Sequence, residues 1–420
     1  MKVFKFGGAS VKDADGVRNL ASIVNRYNDP LVVVISAMGK MTNAFEELVQ
    51  AYFEGNGIEE HYNKIKDYHQ KIVADLFDES ENDLLDEWLE IIHLKLETEP
   101  SLNFDYEYDQ IVPFGELMST FIVSAYLNKI GWENNWIDIR KILRTDDLYR
   151  SAGVNWELTS RLMKEVFSFD GDKRYITQGF IGSTDTNLTT TLGREGSDYT
   201  GAIISYALDA ESLSIWKDVP GVLNADPRWY PKAQMLDELS YWEAIELTYY
   251  GAQVIHPKTI KPLQNKQIPL LVKSFIHPDN AGTAIKATEQ NLQLPPIYVL
   301  KRNQTLLSIS PKDFSFILEE NLSEIFEVIS RHRIKINLMQ SSALNFSVCV
   351  DHHKNIDAVI EELSNHYGVL YNTNMELVTI RHYTQEAIDE VMENKEVVDS
   401  QVSRKTARYV MKGSEWSFNE

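Results

Sequence analysis

Short apolar runs alternate with amphipathic stretches through the first two thirds of the chain. "KVFKF" (2–6) predicts a strand, "VKDADGVRNLASIVNRY" (11–27) an amphipathic helix, and "LVVVI" (31–35) a buried strand followed by a loop. Such alternation predicts parallel βαβ units with helices on both faces of a sheet. From about Glu54 to Glu99 the sequence is charged and helical without strands, which predicts a helical insertion. Strand-and-loop sequence resumes at "NWIDIR" (135–140), "RYITQGFIGS" (174–183), "ESLSIWKDVPG" (211–221) and "IPLLVKSF" (268–275).

Two prolines in "NLQLPPI" (291–297) mark a linker. After it come a strand "TLLSIS", a helix "LSEIFEVISRH", strands "IKINLM" and "FSVCV", a helix "NIDAVIEELSNHY" and a strand "MELVTI". This order predicts a compact βαββαβ unit, followed by one more helix and one strand, "ARYVM".

Composition narrows the partners more than the fold. At 420 residues the chain suits two or three domains, and a net charge of -21 argues against nucleic acid or an anionic membrane surface. Small anionic ligands stay possible, because screening over roughly 8 Å lets a local basic pocket act independently of the distant surface. A single cysteine, Cys349, excludes an intrachain disulfide and fits a reducing, cytoplasmic setting; its place in "FSVCV" predicts a buried strand residue. The apolar run around "LVVVI" is far short of the ~20 residues a bilayer span needs.

Six segments can carry chemistry. "KFGGAS" (5–10) runs from a strand into Gly7 and Gly8, where the backbone can approach a ligand, although alone it reads better as a tight turn. It matches neither the P-loop nor the dinucleotide fingerprint. In "VVVISAMGKMTNAFEEL" (32–48) a strand ends at Ser36, and Thr42 has the form of a helix N-cap. Glu116 in "FGELMST" stands at a helix start, where a glutamate is ordinarily a solvated dipole partner. "ITQGFIGSTDTNLTTTLGREGSDYTGAI" (176–203) is the richest: Gly193, Arg194, Gly196, Ser197 and Asp198 head an apolar helix and together favour an anion site. "IWKDVPGVLNADPRWYP" (215–231) places Lys217, Asp218, Asp226 and Arg228 in a loop at a strand end. In "YYGAQVIHPKTIKPL" (249–263), His256 precedes a proline and reads as structural.

Taken in this order, the six segments resemble those of the aspartate kinases in the amino-acid kinase family, over nearly the whole chain. "KFGGAS" is similar to their KFGGTS, "VVVISAMGKMTN" to their VVxSAMxxxTN, and "GELMS" to their GE-x-x-S. The resemblance implies a three-layer αβα catalytic domain with a mainly parallel sheet (1–292, with the insertion at about 54–99). It also implies an α+β ACT-type regulatory region (298–420) whose second unit is shortened. The implied activity is ATP-dependent phosphorylation of the L-aspartate β-carboxylate, with Mg²⁺, on a monofunctional chain. Alternatives are another amino-acid kinase, such as a glutamate kinase, or a catalytically silent ACT-type sensor.

The resemblance assigns Lys5 and Asp198 to catalysis, and Ser36, Thr42, Glu116, Arg194 and Ser197 to aspartate. It assigns Lys5, Gly7, Gly8, Ser10, Lys217, Asp218, Leu223, Arg228, Gln253 and Val254 to ATP. Asn337 and Ser342 fall where an amino-acid effector would be met, and pairing through the ACT region implies a homodimer or higher homo-oligomer. The sequence departs from the pattern at Ala9, Glu195 and Leu223. It departs also at Gln253, where the family usually carries a lysine that Lys217 would replace. The glycine usual before the first ACT helix is replaced by Glu320–Asn321.

Overall fold

A computed structural model describes residues 1–78, 81, 83–169, 174–252, 255–288 and 292–413. It divides into two compact units. The first comprises residues 1–222, 237–245 and 254–290, and the second 223–236, 246–253 and 291–420. The second unit takes up the chain from residue 291 onward, and two inner segments, 223–236 and 246–253, belong to it as well.

In the first unit the elements are β1 (Lys2–Phe6), α1 (Ala14–Val24), β2 (Leu31–Ile35), α2 (Met41–Glu54), α3 (Ile58–Leu76), α4 (Asp86–Leu96), α5 (Phe104–Ile111) and α6 (Phe114–Lys129). There follow β3 (Asn135–Ile137), α7 (Trp156–Val166), β4 (Arg174–Gln178), β5 (Ile181–Ser183), β6 (Thr189–Thr191), α8 (Gly196–Ala207), β7 (Ser212–Lys217), β8 (Glu238–Ser240), α9 (Tyr241–Tyr250), α10 (Pro257–Lys266), β9 (Leu270–Ser274) and β10 (Thr283–Lys286). The last turn of α9 lies in the second unit. The main sheet has the order β3-β4-β2-β1-β7-β9-β10-β8, parallel except for the β9–β10 pair. All five residues of β2 are buried, which is why an unbroken apolar run forms it. Helices α3 and α4 fill the predicted insertion. The stretch 104–129 is long and apolar enough to cross a membrane, but 78% of its most apolar window is packed inside the fold.

In the second unit β11 (Ile297–Pro311), α11 (Glu319–Arg331), β12 (Ile336–Ser341), β13 (Phe346–Asp351), α12 (Ile356–His366) and β14 (Tyr367–Arg381) follow the predicted βαββαβ order. Then come α13 (Gln385–Met392), β15 (Val397–Val402) and β16 (Thr406–Lys412), one strand more than the sequence suggested. The six strands form one antiparallel sheet, β12-β13-β11-β14-β16-β15.

Strands β11 and β14 serve two half-sheets. Their Leu307, Ile309 and Tyr367 join a core with α11 and α12, while Tyr298, Val378 and Ile380 join a second core with α13. The second half thus has four strands and one helix, and Ala225, Trp229 and Tyr230 from 223–236 pack into its core. Tyr230 stacks on Tyr298 with ring centroids 4.7 Å apart. The apparently shortened repeat is completed by chain lying before the linker.

Candidate active site

Strand β1 runs between β2 and β7, so Lys5 sits opposite Val34 and Ile215 at the centre of the sheet. Its side chain is buried, with Nζ 2.7 Å from Asp198 Oδ1. Lys217, at the end of β7, reaches to 4.0 Å of Asp198 Oδ2. Asp198 lies in the first turn of α8, where the helix N-terminus favours negative charge. Its Oδ1 is buried and meets no aligned hydrogen-bond donor, because Lys5 approaches it as an ion rather than along a bonding direction.

Beyond β1 the chain makes a single 3₁₀ turn (Gly8–Val11), and Ser10 N donates to Gly7 O at 2.9 Å. Glycine is obligatory at Gly8. A Cβ there would stand 2.6 Å from Ala37 O and 2.7 Å from Gly39 O, and Gly39 N donates to Gly8 O at 2.9 Å. Gly8 therefore locks the first loop onto the loop after β2. At Gly7 a Cβ would meet only Lys5 Nζ at an ordinary 3.5 Å, so its freedom is left facing the cavity.

The second loop delivers the buried acid. Ser36 N donates to Phe6 O at 3.2 Å, and Ser119 Oγ of α6 donates to Ser36 O at 2.7 Å. Ala37 N donates to Glu116 Oε1 at 3.3 Å. Glu116 is only 2% exposed and its Oε2 has no protein partner. Burial pushes its carboxyl up to about 8, against the opposing pull of the backbone N–H groups and of Lys5. The expectation of a solvated dipole partner fails here because α6 packs its first turn inside the fold. Thr42 is likewise not the cap of α2; Lys40 holds that position.

The α8 N-terminus closes the far wall. A Cβ on Gly179 would lie 2.5 Å from Ser197 Cβ, so the loop after β4 lies flush against the helix start. Glu195 is the N-cap in left-handed conformation at φ 56°, and its carboxylate accepts from His256 N at 2.9 Å. His256 is structural, capping α10 by accepting from Lys258 N. Arg194 is exposed on the cavity, and among the described residues no carboxylate or carbonyl takes its guanidinium.

These elements enclose a cavity of about 630 Å³, a typical ligand-site volume. Lys5, Gly7, Gly8, Ser10, Ser36, Thr42, Glu116, Arg194, Ser197, Asp198, Lys217 and Asp218 all line it. Leu223 and Arg228 do not. They belong to the second unit, where Leu223 bridges to Met235 and Arg228 is held by Asp226 at 2.5–3.0 Å. Gln253 and Val254 lie outside the described residues.

Sequence reasoning missed Glu46, Tyr108, Arg150 and Thr191, which also line the cavity. Arg150 lies 4.4 Å over the Tyr108 ring, and Tyr108 Oη donates to Glu46 Oε1 at 2.7 Å. Asp109 pins this wall, accepting from Arg150 N at 3.0 Å and from Thr191 N and Oγ1 at 2.9 and 2.8 Å. Only the aromatic and acidic "FDYEYD" run before α6 carried a hint of it.

A cavity that presents cations and helix-terminal amides at the ends of parallel strands is built to hold phosphorylated and carboxylate ligands. Residues 1–274 match the amino acid kinase family, and the chain belongs to it. Its relatives within that family are aspartokinases. The lysine-sensitive aspartokinase 3 of Escherichia coli is 34% identical over 358 residues, which cover 83% of this chain and 78% of that one. The crystal structure of E. coli aspartokinase III with lysine and aspartate (T-state) superposes with TM-score 0.83 at 29% identity, covering 98% of this chain and 96% of that one. The R-state structure with aspartate and ADP gives TM-score 0.80 at the same identity and coverage. The fold class is accordingly the αβα kinase domain followed by an ACT-type region.

Proposed function

We propose that the chain transfers the γ-phosphoryl group of ATP to the β-carboxylate of L-aspartate. The observation that carries this reading is what meets in one cavity: Glu116 Oε2 and the Arg194 guanidinium, neither with a hydrogen-bond partner among the described residues, beside the Lys5–Asp198 ion pair. An amino acid supplies what these lack, an ammonium for Glu116 and a carboxylate for the planar fork of Arg194. Aspartate and ADP in the related E. coli structure support the pairing of substrates.

A substrate carboxylate is already ionised near neutral pH, so the nucleophile needs no general base. The barrier lies in bringing one anion to another, and catalysis rests on positioning and positive charge. Lys5 neutralises charge on the moving phosphoryl group, while Asp198 fixes the Lys5 ammonium from the α8 start. Lys217 and the amides of the glycine loop add to the field.

Mg²⁺ fits this site as a companion of ATP. Asp198 offers one buried, incompletely bonded carboxylate oxygen, and no group of three potential ligands exists among the described residues, so phosphate and water would complete the shell. Bound there, the ion would screen the phosphate charge.

The ACT-type unit supports amino-acid regulation and assembly as a homodimer or higher homo-oligomer, by analogy with the lysine-bound relative. Asn337 is nonetheless spent. Its amide donates to Gln304 Oε1 and Asp351 Oδ1, each at 2.7 Å, and accepts from Lys301 Nζ at 2.7 Å. Ser342 is engaged as well: it stands in an exposed turn, where its hydroxyl donates to Asn345 O and accepts from Asn345 N, each at 3.1 Å. A lone buried Cys349 and dependence on ATP support a cytoplasmic setting.

The test is purified protein with Mg-ATP and L-aspartate, with the acyl phosphate trapped by hydroxylamine. We expect aspartyl hydroxamate and none with glutamate. Product with glutamate alone overturns the substrate, and none with any acid favours the silent sensor.

A further inference from the structure

The second unit contains its own cavity, of about 520 Å³, between the last turn of α9, α11, β12 and the β15–β16 turn. Apolar side chains make most of it: Phe326, Ile336, Leu338 and Met339, with Tyr249 and Tyr250 across from them. No aspartate or glutamate lines it. The charged residue that does is Arg408, which is 8% exposed.

Arg408 is unusual among the buried cations here. Lys5 faces Asp198 and Arg381 faces Glu246 at 2.9 Å, but among the described residues Arg408 meets no carboxylate. Its Nη2 donates to Asn337 O at 2.7 Å and its Nε to Thr379 Oγ1 at 3.3 Å, while the guanidinium lies 5.0 Å from the Tyr250 ring centre. Those contacts hold the fork in place, and among the described residues no acceptor takes Nη1. A buried guanidinium is costly unless an anion answers it. The nearby charges reinforce the sign. Lys335 lies over Tyr249 at 6.0 Å, and the half-buried Lys301 donates to Asn337 Oδ1, while Glu246 and Asp351 are occupied by Arg381 and by the Asn337 cluster.

We propose that this cavity binds a small organic monocarboxylate with an apolar body and no ammonium group, the chemical type of a branched or aromatic 2-oxo acid. The carboxylate meets Arg408 and the body fills the space between Phe326, Leu338 and Tyr249. A free amino acid is disfavoured, because its ammonium would enter a cationic, acid-free chamber. This assignment does not depend on the kinase reading, since every residue in it belongs to the second unit.

Titration calorimetry on the full chain with phenylpyruvate and 4-methyl-2-oxopentanoate, against L-phenylalanine and L-leucine, tests it. The two pairs differ only in oxo group against ammonium. Saturable binding of the oxo acids is expected, weaker by about tenfold or more for each amino acid. Arg408→Gln should abolish it. Because Arg408 also ties β16 to β12, Ser403→Trp provides a second variant, which blocks the chamber from an exposed turn and should likewise abolish binding. Absence of binding by either oxo acid, equal affinity for the amino acids, or binding unchanged in a folded Ser403→Trp protein would overturn the proposal.

Discussion

In the first unit Glu116 and Asp198 are buried carboxylates, each with an oxygen that meets no aligned donor among the described residues, and no acceptor among them takes the guanidinium of Arg194 on the same cavity. In the second unit the buried Gln304 and Asn337 and the half-buried Lys301 and Asp351 bond one another. Burying a polar group without a partner costs free energy that a closed network avoids. On the proposed reading the open set is a place kept for ligand groups, and the closed set is scaffold. Variants should separate the two: changes to the open set reach activity first, and changes to the closed set reach stability first.

The largest effect is expected at Lys5. Lys5→Ala should lower kcat by about 10²–10³ or more while the protein stays folded by circular dichroism, since the charge acts on the transition state. A variant keeping most of the wild-type kcat would remove Lys5 from the chemistry. Next comes Arg194→Lys, which retains charge but loses the planar fork; KM for aspartate should rise about ten- to a hundredfold, with a smaller change in KM for ATP. Equal changes in both constants would mean that Arg194 does not discriminate the substrates.

Asn337→Ala tests the closed set. It leaves the buried Gln304 and the half-buried Asp351 short of a partner, and denaturant melts should show a loss of about 1–3 kcal/mol with kcat unaltered. Glu195→Gly is the smallest: relief of a left-handed backbone at φ 56°, about 0.5–1 kcal/mol, is offset by loss of the bond from His256 N, so denaturant melts should shift by less than about 1 kcal/mol.

Glu116 joins the two kinds of readout. Its folded pKa is raised, so the protonated form is favoured in the native state, and ionisation costs stability increasingly from the unfolded value of 4.5 up to about 8. Glu116→Gln removes that cost. The variant should melt above wild type at pH 8.5, match it below pH about 4.5, and bind aspartate poorly throughout.

The catalytic half of the fold was largely legible because its strands are continuous apolar runs, as in "LVVVI", and its helices begin at recognisable caps such as Asp13. The second unit was less so. Strand β15, "VVDSQV", is an exposed edge strand with almost no buried face, so no period-2 signal marks it. Strands β11 and β14 read as half their length, since each changes its packing partners midway and a β-bulge separates the halves of their pairing. Nor does a sequence announce that residues 223–236 fill the core of a distant repeat.

The site divides in the same way. Residues attached to glycine loops and helix starts were found, whereas Arg150 was not. It comes from an irregular loop with φ 64° and reaches the cavity only through Asp109 and Tyr108. Leu223 and Arg228 stand in the right segment by order, but their backbone turns into the second unit.

The central claim is that Glu116 is kept for the substrate ammonium. It is tested most directly by calorimetry of L-aspartate binding at pH 7 in buffers of different ionisation enthalpy. Free protein holds Glu116 protonated, and pairing with an ammonium ionises it, so binding should release a substantial fraction of one proton. Binding without proton release, or the same release from Glu116→Gln, would contradict the account.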